Sequence, residues 1–113
     1  RLLEVDICGC RDIEEIVSTE EMQGNVIKII FPSLQCLKLG NLPKLGAFCQ
    51  GSCDFDFPTL HEVFLKFCHM IETFSYGLSF TPKLDRVFME IENITKNIWM
   101  GDLNATVLLC KGL

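Results

Sequence analysis

A phrase of the form Leu-x-x-Leu-x-Leu returns along this chain, and no other feature constrains the fold as much. The fullest copy is Leu34-x-x-Leu37-x-Leu39-x-x-Leu42-x-x-Leu45-x-x-Phe48. The next reads Leu60-x-x-Val63-x-Leu65-x-x-Cys68-x-x-Ile71-x-x-Phe74. An earlier one reads Leu2-x-x-Val5-x-Ile7-x-x-Cys10-x-x-Ile13-x-x-Ile16, and a fading one begins Leu84-x-x-Val87-x-Met89. Pro32, Pro58 and Pro82 stand two residues before the lead leucine of the last three copies.

Leu34 to Leu60 spans 26 residues and Leu60 to Leu84 spans 24. This period and phrase are those of a leucine-rich repeat, whose units run about 20–29 residues. The expected fold is an α/β solenoid with a curved parallel sheet on its concave face. Alternate strand residues point to opposite faces. Val5 and Ile7, Leu37 and Leu39, Val63 and Leu65, and Val87 and Met89 should therefore point inward. Beyond each pair the apolar period becomes three, which predicts mostly irregular or 3-10 returns on the convex side. Stacked coils bury together what no single coil buries alone. Cys10, Leu42 and Cys68 share one repeat position, where a thiol can reach carbonyls freed by the turn. That gives the two cysteines a structural role.

One domain spans residues 1–113, with repeats starting near 2, 34, 60 and 84 and a capping segment over about 92–113. Residues 18–25, 49–56 and 75–81 read as surface loops on one side of the stack. Residues 26–31 run apolar into Pro32 and read as an extra strand or the approach to the next coil. Asp102 is placed to cap a short helix, with Leu103 and Val107 on one face. Since the chain opens inside a repeat and without an initiating Met, it reads as a fragment of a longer protein.

Hydrophobic content of 49% and a mean hydropathy of +0.30 suffice for a core. No apolar run reaches membrane-spanning length. The seven cysteines are odd in number and follow no paired zinc spacing, so free thiols in a reducing compartment are expected. The triplets at Asn93 and Asn104 match a glycosylation acceptor, which a cytosolic chain never presents to the transferase. The net charge is −5, and residues 1–21 account for it with seven acids against Arg1 and Arg11. Elsewhere eight acids balance eight bases. A chain without a basic stripe is a poor partner for nucleic acid.

No catalytic constellation emerges. His61-Glu62 begins like a zinc-protease motif, but Leu65 stands where the second histidine belongs. Cys68 and His69 are sequence neighbours, which does not make a nucleophile and base. Asp54 and Asp56 lack companion ligands. Catalytic, cofactor and metal residues are thus none, and neither a membrane nor a small-molecule substrate is expected.

Several phrases together resemble one family. Phe31-Pro32-Ser33-Leu34, Phe57-Pro58-Thr59-Leu60 and Thr81-Pro82-Lys83-Leu84 each precede a strand. Leu42-Pro43-Lys44-Leu45 and Ile13-Glu14-Glu15-Ile16-Val17 follow one, and Trp99-Met100-Gly101-Asp102-Leu103-Asn104 opens the end. This resembles the C-terminal leucine-rich repeats of plant coiled-coil nucleotide-binding disease-resistance proteins. The resemblance implies a cytoplasmic immune receptor. Its repeats would sense a pathogen effector or a guarded host protein, or hold the receptor's own nucleotide-binding domain inactive. The nucleotide switch that it implies lies elsewhere, because no phosphate-binding Gly-x-x-x-x-Gly-Lys loop occurs here. The final segment Leu108–Leu113 departs from the family's charged helical tail.

Outward strand positions form the surface on which solenoids bind partners. Phe64 and Phe88 occupy equivalent places there and should stack. Phe67 and Ile91 lie at the strand ends, and Glu62, Lys66, Arg86 and Glu90 form a charged rim. The other reading is a structural spacer, or a truncated relic without binding of its own.

Overall fold

The computed structural model describes residues 3–17, 27–51, 53–91 and 94–112. The first repeat carries β1 (Glu4–Cys8), β2 (Glu15–Val17) and β3 (Ile27–Ile30). The second carries β4 (Cys36–Gly40), β5 (Ala47–Cys49) and β6 (Cys53–Asp56), and the third carries β7 (Glu62–Lys66) and β8 (Ser79–Phe80). The chain ends in β9 (Arg86–Ile91), β10 (Ile94–Asn97) and one helix, α1 (Leu103–Gly112). The fold is α/β with mostly parallel strands.

Each leg of a repeat pairs with the same leg of the next. The x-Leu-x-Leu strands form a sheet in the order β1-β4-β7-β9-β10. Its first four strands are parallel and in repeat register, for example Val5↔Leu37, Leu37↔Val63 and Val63↔Val87. Leu37, Leu39, Val63, Leu65, Val87 and Met89 are buried as expected. Val5 and Ile7 are only half-buried, because β1 has a neighbour on one side alone.

The returns are mostly irregular, as expected, with short strands set into them. No 3-10 helix occurs among the described residues, and two further parallel sheets, β2-β5 and β3-β6-β8, run through the returns instead. Repeats stacked at strand spacing set equivalent backbone segments side by side. Their amides and carbonyls, which burial requires to be paired, then bond between repeats. The apolar period of three is buried throughout the second and third repeats, and among the described residues the i to i+3 hydrogen bond occurs at the corners, as isolated turns. Leu45 N donates to Leu42 O and Ile71 N to Cys68 O after the strands, while Leu60 N donates to Phe57 O and Leu84 N to Thr81 O across Pro58 and Pro82. Proline with its fixed φ suits the second position of such a turn. The Thr59 hydroxyl ties one corner to the previous one, donating to Leu34 O at 2.8 Å.

Two expected loops are therefore partly strand. Residues 49–56 hold the end of β5 and all of β6, where Cys53 and Phe55 face the core and Asp54 and Asp56 alternate with them. Residues 75–81 hold β8. The apolar stretch before Pro32 is an extra strand, β3. The loop expected over 18–25 lies outside the described residues.

A second recurrence sits where three strands end. Gly9, Asn41 and Phe67 follow β1, β4 and β7, and all are left-handed, at φ +77°, +51° and +58°. Each amide donates to the next strand, to Gly40 O, Lys66 O and Glu90 O. Glycine and asparagine accept this conformation readily, and phenylalanine does so at a cost. Ile91 holds the same place after Glu90. A β-branched residue strongly resists positive φ. Here β9 runs on through Ile91, and β10 returns antiparallel with Ile94 opposite Ile91 and Asn97 opposite Phe88. The expected capping segment thus begins with a strand added to the main sheet.

Between the sheets lies a phenylalanine cluster of Phe31, Phe48, Phe55, Phe57 and Phe74, the last four fully enclosed. Phe48 and Phe74 stack with centroids 4.7 Å apart and planes within 9°. Phe31 stacks on Phe57 at 5.1 Å. Gly77 passes so close to β6 that an added methyl would overlap the Cys53 carbonyl.

The Asp102 cap is as expected, with Ala105 N donating to Asp102 Oδ2 at 2.8 Å. Leu103 and Val107 are buried against the core. Asn104 closes the return sheet. Phe48 N, in β5, bonds Phe74 O of the next repeat alongside that sheet. On the far side Phe74 N and Ser75 N donate to Asn104 Oδ1 at 3.1 and 2.8 Å, and Asn104 Nδ2 donates to Gly77 O. One side-chain amide thus stands in for the next rung. No helix among the described residues is long and apolar enough to cross a membrane.

Candidate functional site

The outward face of the main sheet is a grid fixed by register. One row runs Glu4, Cys36, Glu62, Arg86, the next Asp6, Lys38, Phe64, Phe88, and the third Cys8, Gly40, Lys66, Glu90. Strand β10 sets Asn97 beside Phe88 and Thr95 beside Glu90. Alternation puts all of these on the side away from the buried leucines.

Phe64 and Phe88 stack face to face, with centroids 4.7 Å apart and planes within 9°. Both are half-buried. The Lys38 and Lys66 ammoniums lie 5.5 and 5.9 Å from the Phe64 ring centre, within reach of its negative face. Glu4 holds Lys38 at 3.2 Å. Hydrogen bonding and charge from Glu4 raise the Lys38 ammonium above its ordinary range, so it stays charged. Glu62 lies 3.9 Å from Arg86 and 3.7 Å from the His61 ring. Lys66 and Glu90 are in register, yet among the described residues Lys66 makes no ion pair.

Glu62, Phe64 and Lys66 therefore share β7, and Arg86, Phe88 and Glu90 share β9. The expected ring stack is present, and two residues of the expected rim, Glu62 and Arg86, also approach each other. Phe67 lies just beyond β7, turned by its left-handed backbone toward the corner, with its ring 6.5 Å from that of His69. Ile91 is in β9, and its side chain lies outside the described residues.

Two clefts flank this arrangement. One, of about 340 Å³, is lined by Asp6, Lys38, Gly40, Phe64, Lys66 and Phe67, with Asn41 at its edge with the corner. The other, of about 440 Å³, lies along the Glu4, Cys36 and Glu62 row. A third space of about 480 Å³ at the corner adjoins the first through Asn41 and Phe67, and Arg11 and His69 line it. Sequence reasoning puts Lys38 on the outward face in one row with Phe64 without making it part of the site, and it misses Asn41, Arg11 and His69. Lys38 shares the Phe64 row, which was a legible signal. The other three lie past the strand ends, where strand alternation no longer assigns a side.

Burial, then the Glu4 charge, pushes the Cys36 thiol up from its ordinary value and keeps it protonated. Cys8 and Cys10 are exposed, and Cys10 reaches only the Cys8 carbonyl, at 3.9 Å. Cys68 is buried, and its thiol lies 3.7 Å from both Leu39 O and Lys66 O, as its repeat position predicts. Cys10, at the same position in the exposed first repeat, makes the counterpart of the Cys68–Lys66 bond, to Cys8 O two residues back. His69 is exposed, whereas its neighbour Cys68 is buried. Asp54 lies in β6 and accepts from Leu78 N at 2.8 Å. Among the described residues, no group of three His, Cys, Asp or Glu side chains is arranged to hold a metal.

No protein-family model, curated protein or solved structure matches the chain.

Proposed function

We propose that the chain is a leucine-rich repeat solenoid that acts as the sensing and autoinhibitory module of a cytoplasmic plant immune receptor. It binds protein partners through the outward face of the main sheet and has no catalytic activity or cofactor. The observation that carries this reading is the repeat-by-repeat register of the x-Leu-x-Leu strands. That register sets an aromatic stack within a charged frame on one side of a packed array. Aromatic centres with polar rims suit protein partners. The Pro-x-Leu corners and the Trp-x-Gly-Asp-Leu-Asn phrase carry the resemblance to plant receptors.

The transcript that encodes the chain tests the receptor class. A nucleotide-binding domain upstream supports the reading, and a secretory signal with a membrane span overturns the cytoplasmic assignment. The double change Phe64→Ala, Phe88→Ala in the full-length protein tests the face. The expected result is normal accumulation with altered autoactivity or pathogen response. Normal accumulation with both responses unchanged makes this face a structural spacer.

A further inference from the structure

The chain carries a net charge of −5, yet the clefts at the lower edge of the sheet face are locally cationic. Lys38 and Lys66 line the first, and Arg11 and His69 line the space that adjoins it at Asn41 and Phe67. Asp6 is the one acid among the residues that line the two. Lys38 is already engaged by Glu4. Lys66 and Arg11 make no ion pair among the described residues. Two cations without an ion pair among the described residues therefore line adjoining hollows, with Phe64 lining the first and Phe67 lining both.

We propose that these adjoining clefts take an acidic segment of a protein partner, with one carboxylate at Lys66 beside Phe64 and another at Arg11. This rests on the reading of the sheet face as a partner surface and names the chemistry of what docks there. A carboxylate is the complement of an ammonium or guanidinium without a counter-charge, and the guanidinium can take it with two hydrogen bonds. An apolar side chain between the two acids would lie on the exposed edges of Phe64 and Phe67. A long polyanion is the poorer occupant, since the surrounding charge of the chain repels it beyond the few cations of the clefts.

The test uses the labelled chain and two capped peptides of sequence GELEG and GQLQG, followed by NMR titration at low salt. The expected result is GELEG binding at least five-fold tighter than GQLQG. Its shifts should centre on Arg11, Asn41, Lys66 and Phe67 and fade as salt is raised. The exposed double variant Arg11→Gln, Lys66→Gln should keep the parent spectrum elsewhere and lose the preference. Equal binding of both peptides on Phe64 and Phe88 overturns the acidic selectivity while leaving the face a docking surface. Shifts centred elsewhere, or none with either peptide, overturn the site. The full-length Phe64, Phe88 variant judges the face independently of either result.

Discussion

The molecule contains the same ring stack twice, once inside and once outside. Phe48 and Phe74 lie with centroids 4.7 Å apart and planes within 9°, and so do Phe64 and Phe88. The first pair is sealed in the core and the second stands half-exposed on the sheet face. Identical geometry in two environments has one cause. Each pair occupies equivalent positions in neighbouring repeats, and the spacing of paired strands, about 4.7–4.9 Å, becomes the ring spacing. Stacking here reports the register of the ladder. What separates a core stack from a binding stack is the solvent on its edges and the charges beside it.

The sharpest way to break the comparison is to delete one ring from each stack. Phe48→Ala should lower stability by about 3–5 kcal/mol, as enclosed aromatic truncations do. Denaturant unfolding should then place the variant near the edge of folding. Phe88→Ala should lower stability by about 1 kcal/mol, the worth of a stacked pair with part of its burial. Similar losses at both sites would mean that the outer stack belongs to the core.

A smaller effect is expected at the closure of the return sheet. Asn104→Ala leaves the Phe74 and Ser75 amides without their acceptor beside the inner stack. The expected loss is about 1–3 kcal/mol, the usual cost of orphaned buried donors. A melting curve that coincides with the parent would show that the helix closes the sheet by other contacts.

Phe67 tests the outer region in the opposite direction. Its left-handed backbone costs about 1–2 kcal/mol that glycine does not incur. Phe67→Gly relieves this strain while losing a half-buried ring, so stability should change by less than about 1 kcal/mol in either direction. Binding of the acidic peptide should weaken. A large loss of stability would show that the ring packs as core and is no surface element.

The gentlest probe is pH. Burial raises the Cys68 thiol above its ordinary value, so the folded state favours the protonated form. Its contribution is fully present below the unfolded pKa and is lost as pH rises through the raised folded value. Stability should therefore fall more steeply on the alkaline side in the parent than in Cys68→Ala. Equal slopes would assign the alkaline loss to other groups.

The inner and outer regions also differed in how far the sequence disclosed them. Strand register was legible because Leu37 and Leu39, Val63 and Leu65, and Val87 and Met89 alternate and recur. From that register the Phe64–Phe88 stack followed directly. The inner stack was hidden, since Phe48 and Phe74 fall in a run of period three that does not by itself imply pairing. Cys53-Asp54-Phe55-Asp56 alternates as a strand should, but its acids and the preceding Gly51 have the composition of a loop. Asn104 looked like part of a glycosylation triplet, and only the folded chain sets its amide against Phe74. The corner residues Arg11, Asn41 and His69 were illegible for a related reason. A left-handed residue at the strand end redirects the chain, and strand alternation carries no information past it.

The amide that Asn104 lends to the return sheet makes the helix a timed latch. The Phe74 and Ser75 N–H groups should be protected from solvent exchange only while α1 is seated, whereas exchange of amides within the main sheet should require the strands themselves to part. Deuterium uptake at these two positions, compared with Leu39 and Leu65, therefore counts how often the helix lifts away before the rest of the molecule opens.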